Sequence, residues 1–372
     1  MRGMQTFFLE IELKSPVHVG MGADHNWPAY AYLPDRVRGE VVLLDPAQLV
    51  AALEEDRREA FLSAVAEGPA RAQRLLRGWY REVLPLPELS RLPASPAFLK
   101  AVEEASDQAE LEFRPLPRSF KGPYLPGSSV KGALRTAWIY AKLEPRLREN
   151  DLVYDRREGW RPRPKRGGDG VIRPGAGGLR AAQQLEAFAL GYLGRRGPDM
   201  HRDPLRAVRL GDGPNLSRTR LDRVGVVHPE DRLRDVSILA EVVPEGTRMH
   251  LSFRYHRALY EKGVVAGAVD PGELADAAFS FYTGVLEEDL GYADQNGWER
   301  AAKFYREFLK EIQDRNDAFP LRIGFGSGKL ANTLLFLLNE SFPLTRKAVG
   351  SVEPRHGVPL GWVLARLVET GR

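Results

Sequence analysis

The chain of 372 residues contains no cysteine. Disulfides, thiolate metal sites and a cysteine nucleophile are therefore excluded. No apolar run approaches the roughly 20 residues that a membrane-spanning helix needs. The first residues also lack the apolar stretch and cleavage site of a secretory signal. We expect a cytoplasmic protein with no membrane partner.

A large excess of charge is also missing, because the formal net charge is only +4. Most of the basic residues are arginine, however: 11 of the 54 are lysine, so 43 are arginine. Arginine presents a planar fork that suits phosphate and stacks on bases. A GC-rich or thermophilic genome produces the same bias, so composition alone does not establish RNA binding.

The most informative segment is a Gly/Ser-rich turn within Tyr124–Thr136, directly before a stretch with the apolar spacing of a helix. A helix that begins in such a turn offers free backbone N–H groups and its positive dipole end to an anion. The spacing does not fit a nucleotide-binding P-loop, because Ala133 and Leu134 follow Gly132. A serine-capped helix start without a ligand remains the alternative. The predicted contacts are Gly127, Ser128, Ser129, Lys131, Gly132 and Arg135.

A second glycine cluster lies within Leu321–Asn332, between a predicted strand and a predicted helix. Its alternating glycines do not match the dinucleotide-binding pattern. Glycines at such a turn would let backbone amides approach a bulky ligand such as a nucleic-acid backbone. The predicted contacts here are Gly324, Phe325, Gly326, Ser327, Gly328 and Lys329.

The remaining patterns predict an alternation of strands and helices. A buried strand is expected at Gln5–Leu13, and a Pro244–Gly246 turn predicts a hairpin. Helices are expected at Asp270–Gly284 and Gly297–Gln313. The other expected segments are a helical insertion at about 45–118, a flexible Gly/Pro/Arg-rich loop at about 155–178, and a loop that carries Arg218, Arg220 and Arg223.

Four segments resemble, in order and spacing, the motifs of the RAMP superfamily of CRISPR proteins. They are Ser15–Gly20, Leu125–Thr136, Leu239–Thr247 and Ile323–Gly328. Within that superfamily, the length and the closing segment Val358–Val363 are most similar to the family of fifth subunits of type III-A (Csm) effector complexes. The resemblance covers most of the chain, but not the 45–118 insertion or the 155–178 loop.

The resemblance implies an α+β fold of ferredoxin-like (RRM-like) units with helical insertions. We place two such units at 1–255 and 256–372. It also implies a non-catalytic RNA-binding role that caps the 3′ side of the CRISPR RNA and contributes to guide RNA maturation and assembly. No cofactor or metal is expected. The implied partners are CRISPR RNA, other Csm RAMP subunits, especially the backbone (third) subunit, and indirectly target RNA. A scaffold for variable guides must bind phosphates and sugars and not bases, and Arg218, Arg220 and Arg223 are expected to reach over the guide.

Some RAMP proteins cut RNA, so a processing endoribonuclease acting on precursor CRISPR RNA is one alternative. A second is a protein-only interaction module whose glycine loops serve packing. Metal-independent cleavage needs a base near the 2′-hydroxyl and an acid for the leaving oxygen. The candidates are His18 and His25. Val17 and Val19 flank His18, which favours a packing role for its side chain. No H-x-x-x-H pair is present to bind a metal.

Overall fold

A computed structural model of the chain describes residues 4–81, 88–106, 109–148, 152–155, 159–162, 185–194, 197–227, 238–315, 317–328, 331 and 345–370. The helices are α1 (Pro46–Ala52), α2 (Glu55–Glu67), α3 (Pro69–Arg81), α4 (Pro96–Glu103), α5 (Gly127–Arg148), α6 (Arg257–Glu261), α7 (Pro271–Gln295) and α8 (Glu299–Asp314). None of these described helices is both long and apolar enough to cross a bilayer.

The strands fall into two five-stranded sheets and several smaller ones. They are β1 (Met4–Leu13), β2 (Tyr32–Asp35), β3 (Glu40–Leu44), β4 (Glu88–Pro93), β5 (Phe113–Arg114), β6 (Arg118–Ser119), β7 (Gly122–Pro123), β8 (Leu152–Asp155), β9 (Gly159–Pro162), β10 (Leu193–Gly194), β11 (Gly197–Pro198), β12 (Val208–Leu210), β13 (Arg220–Val227), β14 (Ile238–Val242), β15 (Arg248–His256), β16 (Phe319–Arg322), β17 (Arg346–Val349), β18 (Val358–Pro359) and β19 (Trp362–Glu369).

The first sheet has the order β12-β15-β1-β19-β16 and is antiparallel throughout. Its centre is β1, which pairs with β15 on one side and with β19 on the other. Leu9, Ile11 and Leu13 of β1 are buried in the main core, together with side chains of α5 and α7 such as Leu134 and Phe281. The predicted buried strand at Gln5–Leu13 is therefore confirmed. It pairs with β19, so an early and a late segment of the chain lie side by side.

The second sheet has the order β18-β17-β13-β14-β5, with β5 parallel to β14. It buries a smaller cluster around Val224, Val242 and Leu360. On its β5 side, Leu239 joins a further cluster that includes Phe98 of α4. The second sheet therefore lies between the glycine cluster near β16 and the insertion.

The predicted insertion at 45–118 is largely helical, as expected, and contains α1 to α4. Helix α1 begins where Asp45 accepts two backbone N–H groups and Pro46 occupies the first turn. The prediction missed β4, which completes a three-stranded sheet with β2 and β3, and β5, which joins the second sheet. A short strand within a helical stretch shows little periodicity in its sequence. Whether it forms depends on the strands with which it pairs.

Two predicted connections differ from the structure. Strands β14 and β15 flank the Pro244–Gly246 turn as predicted, but they belong to different sheets and do not pair as a hairpin. The turn instead bonds to the end of β1 and the segment that follows it. The Gly246 N–H donates to the Leu13 carbonyl, and Val243 exchanges hydrogen bonds with Val17. The predicted boundary between two units, after residue 255, is not followed by the sheets. Each of the two five-stranded sheets contains strands from both sides of that residue.

The two predicted C-terminal helices are confirmed as α7 and α8, and α7 continues to Gln295. The predicted flexible loop at 155–178 lies largely outside the described residues. Its described part, Gly159–Pro162, forms β9 and pairs with β8.

A buried carboxylate in α7 connects the two sheets. The Asp289 side chain accepts a hydrogen bond from Arg322 Nη1 of β16 and one from Arg346 Nε of β17, each at 2.5 Å. All three side chains are at most 5% exposed, and Tyr305 of α8 adds its hydroxyl at 3.3 Å. Arg322 also stacks on Trp362. A buried charge is tolerable only when it is paired in this way.

Replacing Asp289 with asparagine should lower the free energy of unfolding by about 3–5 kcal/mol, because two buried guanidinium groups lose their counter-charge. Denaturant titration at pH 7 measures the loss. The matched control is Asp294→Asn in the same helix, since Asp294 is exposed and pairs with Arg306 on the surface. That variant should change stability by less than about 1 kcal/mol. Equal losses in the two variants would contradict the connecting role of Asp289.

Candidate nucleic-acid interface

The Gly/Ser turn forms the first turn of α5, as the sequence predicts. Pro126 precedes the helix, and Leu125, Val130 and Leu134 are buried beneath it. The Gly127 N–H does not face solvent, because it donates to the Asp212 carboxylate at 2.8 Å. A Cβ at Gly127 would also collide with the Gly211 carbonyl oxygen. Glycine is thus required there by close packing of two chain segments, and the Asp212 carboxylate of the protein itself already binds its amide.

The outer side of the same turn is open. Ser128 and Gly132 are exposed one helical turn apart. A Cβ at Gly132 would meet nothing within 4 Å. Backbone atoms of α5 are therefore accessible along the stripe formed by Ser128 and Gly132, with the partly buried Ser129 beside it.

The two predicted cations of α5 have internal partners. The Lys131 ammonium donates to the Val208 carbonyl at 2.8 Å. Burial lowers its pKa, and the positive charges of Arg135 and Arg209 lower it further against the effect of Asp203. Lys131 is thus a half-buried cation next to Arg209 at the β12 edge of the first sheet.

Arg135 is more firmly bound than Lys131. Its guanidinium reaches Asp203 at 2.7 Å, Glu186 at 3.0 Å and the Tyr192 hydroxyl at 3.0 Å. Burial opposes the charged form, but the two carboxylates outweigh it and raise the pKa of Arg135. These contacts fasten α5 to the segment before β12.

The three arginines predicted to lie on one loop are separated by the structure. Arg218 is exposed, just before β13. Arg220 is in β13 and pairs with the buried Asp222 at 3.2 Å. Arg223 is only 5% exposed, and its Nη1 donates to the Val352 carbonyl. The prediction of one loop is wrong here, because β13 already begins at Arg220 and its alternation directs side chains to opposite faces.

The second glycine cluster forms a short 3-10 helix at Gly324–Ser327. Gly324 has φ +71°, and a Cβ there would collide with the His18 carbonyl oxygen. A Cβ at Gly326 would collide with the Leu360 carbonyl oxygen, and Ser327 is buried. These glycines are required by close chain contacts inside the protein. Gly328 is the open member, and Lys329 lies outside the described residues.

Phe325 of this cluster is partly exposed and lies between two cations. The Lys347 ammonium is 3.4 Å from its ring centroid, and the Arg114 guanidinium is 4.7 Å away. Lys347 also donates to the Phe325 carbonyl at 2.7 Å. Burial, together with Arg322 and Arg114, lowers the pKa of Lys347 to about 8. Sequence reasoning missed Arg114 and Lys347, because both lie in short strands of the second sheet and no local motif marks either of them.

The two candidate catalytic histidines have different environments. His18 is fully buried, and its Nδ1 donates to the Glu241 carbonyl at 2.7 Å. Its Nε2 has no hydrogen-bond partner among the described residues. Burial lowers the pKa of His18 to about 4. His25 is exposed at the end of the Ala23–His25 turn. A buried imidazole cannot reach a substrate hydroxyl without a rearrangement, which supports the packing role for His18.

Lowering the pH from 7 to 5 should destabilise the protein through His18. The unfolded imidazole, with a pKa near 6.5, gains a proton in this range, whereas the folded one, with a pKa of about 4, does not. The unfolded state therefore binds more protons, and stability falls by about 2 kcal/mol. In His18→Asn, whose amide can still donate to Glu241, this part of the loss should vanish. Urea titrations of both proteins at the two pH values measure the difference, and equal pH dependence would refute the assignment.

The fold is shared with proteins of known structure. A family model described as the RAMP superfamily matches residues 10–331. A chain in the cryo-EM structure of a Csm–crRNA–target RNA ternary complex of a type III-A CRISPR-Cas system aligns with a TM-score of 0.70 and 19% identity, over 97% of this chain and 100% of that one.

The crystal structure of T. onnurineus Csm5 aligns with a TM-score of 0.64 and 19% identity, over 95% of this chain and 99% of that one. No curated protein sequence matches the chain. The family match spans most of the residues that build both sheets and includes both glycine clusters. The chain belongs to the RAMP superfamily.

Proposed function

We propose that this protein is a non-catalytic, RNA-binding structural subunit of a type III-A (Csm) effector complex, where it caps the 3′ side of the CRISPR RNA. The observation that carries the proposal is the fold match over nearly the whole length of both chains to a subunit of a Csm–crRNA–target RNA complex. The fold match to Csm5 over 95% of this chain supports the assignment to a Csm subunit. The neighbouring partners are then other Csm RAMP subunits, in particular the backbone subunit.

We infer that the first sheet is one ferredoxin-like unit. Its elements follow the chain order β1-α5-β12-β15-α7-β19, which is a β-α-β-β-α-β succession, and the strands lie in the order β12-β15-β1-β19. Strand β16 extends the β19 edge. Among the described residues, the order β18-β17-β13-β14-β5 of the second sheet does not follow that pattern.

Within this unit the guide backbone is expected to contact the exposed stripe of α5, with Ser128, Gly132 and the neighbouring Lys131. Arg218 and the open side of the second glycine cluster at Gly328 are further candidates. We assign a structural role to three other predicted contacts, Arg135, Arg220 and Arg223. Their N–H groups already donate to carboxylates or carbonyls of the protein itself. Recognition through phosphates and sugars suits a guide of variable sequence.

The capping role is tested by co-expression with the other subunits of its Csm complex and a CRISPR array, followed by purification through a tag on this protein. The expected result is a complex that contains RAMP subunits and repeat–spacer RNA. When this protein is omitted and the complex is purified through a tag on another Csm subunit, the RNA should have altered 3′ ends and unchanged 5′ ends. Recovery of this protein alone, without subunits or RNA, would contradict the proposal.

The exposed stripe of α5 is tested by opposite charges at Gly132. Both Gly132→Glu and Gly132→Lys should fold, since the position is open and glycine is a weak helix former. The glutamate should weaken RNA binding roughly fivefold, since like charges near the surface repel by about 1 kcal/mol, and the lysine should not weaken it. Fluorescence anisotropy with labelled single-stranded RNA measures both.

Gly78→Glu is the matched control, because Gly78 is an exposed, unobstructed glycine of α3. It should leave RNA affinity unchanged. If both glutamate variants weaken binding equally, the effect follows net charge and not the α5 stripe.

The proposal that the protein does not cleave RNA is tested separately. Purified protein is incubated with repeat RNA in the presence of a chelator, and no fixed cut is expected. A defined cut that disappears in His25→Ala would overturn the non-catalytic assignment and establish the endoribonuclease alternative.

A further inference from the structure

The face of the first sheet that is turned away from Leu9, Ile11 and Leu13 carries a second surface of mixed aromatic and basic character. Side chains alternate along a strand, so Phe8, Glu10 and Glu12 of β1 lie on this outer face. Phe8 is 46% exposed. It pairs in register with Ser252 of β15 and Val368 of β19, which places the ring near the middle of the outer face.

The acidic residues of this face are neutralised within the protein. Glu10 binds Arg366 at 2.5 Å and His250 at 3.3 Å. Glu12 binds Lys14 and Arg248, each at 3.0 Å. Among the described residues of β1, both outward-facing carboxylates therefore have basic partners.

Two arginines of the same face have no such partner. Arg209 of β12 and Arg254 of β15 lie directly opposite each other in register, and both are exposed. Neither side chain makes an ion pair or hydrogen bond within the described part of the chain. Like charges directly opposite on neighbouring strands are unfavourable. An anion bound between Arg209 and Arg254 would remove that repulsion.

The arginine pair connects the α5 turn to the aromatic part of the sheet. Lys131 of α5 experiences the positive charge of Arg209. On the other side, Arg254 is two residues from Ser252, the register partner of Phe8. The Phe8 and His250 rings lie 6.2 Å apart, centroid to centroid, in a tilted arrangement. Three cations, Lys131, Arg209 and Arg254, therefore lead from α5 toward the exposed Phe8 ring on the sheet.

We propose that this outer face is a binding site for single-stranded RNA, with phosphates held between Arg209 and Arg254 and a base stacked on Phe8. This combination of a basic track and a stacking aromatic is the one by which sheets bind single strands without sequence preference. The proposal rests on the proposed function, because it extends the guide path from the α5 stripe onto the sheet. A neighbouring protein would need acidic groups opposite the same arginines.

The test uses the full-length protein and a fluorescein-labelled 20-nucleotide oligouridine, with anisotropy measured over a range of salt concentrations. Arg209→Ala with Arg254→Ala should lower the affinity at least tenfold. It should also reduce the slope of log affinity against log salt by about 1.4, since each phosphate contact to a single strand contributes about 0.7. The control is Lys303→Ala with Arg306→Ala, which removes the same charge from the exposed side of α8. That double variant should keep the wild-type slope.

The stacking role of Phe8 is tested with variants that remove or keep the aromatic ring without changing the charge. Phe8→Leu should lower the affinity about five- to tenfold without changing the salt slope, because it removes one stacked base. Phe8→Tyr keeps an aromatic ring and should retain wild-type affinity. Equal affinities of Phe8→Leu and Phe8→Tyr would contradict base stacking.

The outcomes separate this site from the proposed function. If the sheet variants bind oligouridine like the wild type while Gly132→Glu binds weakly, the sheet site is refuted and the α5 contact stands. If the arginine variant loses Csm subunits in the co-purification but keeps its RNA affinity, the face is a protein contact and the proposal is overturned. A wild-type protein that binds no oligouridine even at low salt would refute both RNA sites.

Discussion

The buried contact of Asp289 with Arg322 and Arg346 is the interaction on which the arrangement of the two sheets depends. It joins α7 to the end of β16 in the first sheet and to the start of β17 in the second. Each arginine adjoins the second glycine cluster or its neighbours: Gly324 follows Arg322 by two residues, and Lys347 follows Arg346 directly. One carboxylate thus sets the position from which Lys347 reaches Phe325. Removing one partner would leave a buried charge uncompensated, so this contact is costly to break.

The glycine clusters serve two purposes at once. Gly127, Gly324 and Gly326 permit two backbone segments to approach so closely that any side chain would collide. Gly132 and Gly328 are unobstructed, so they keep backbone accessible on the outside. The first three glycines therefore allow the close packing beneath the surface, and Gly132 and Gly328 form part of the surface itself. For RNA binding, such a division places polar backbone atoms on a rigid support, which suits recognition of phosphate and sugar.

The basic residues divide in a similar way. Arg135, Arg220, Arg322 and Arg346 are paired with carboxylates and hold segments together. Arg209, Arg218 and Arg254 are exposed, and no hydrogen bond or ion pair occupies them within the described residues. A chain with a small net charge can thus still present a local surplus of positive charge, because nearby carboxylates such as Glu10, Glu12 and Asp203 are paired with basic side chains of the protein itself. This surplus lies near the α5 turn and across the outer face of the first sheet, where the guide strand is proposed to run.

The sequence by itself determined the strand β1, the helices α5, α7 and α8, and the two glycine clusters, because periodicity and glycine placement are local properties. Its motifs also sufficed to indicate the RAMP superfamily. The tertiary structure alone decided that β14 and β15 enter different sheets, that Arg135 faces two carboxylates, and that β19 returns to pair with β1. It alone brought Arg209 opposite Arg254 and placed Phe8 beside them. Register and burial arise from contacts between residues far apart in the chain, and no local pattern encodes them.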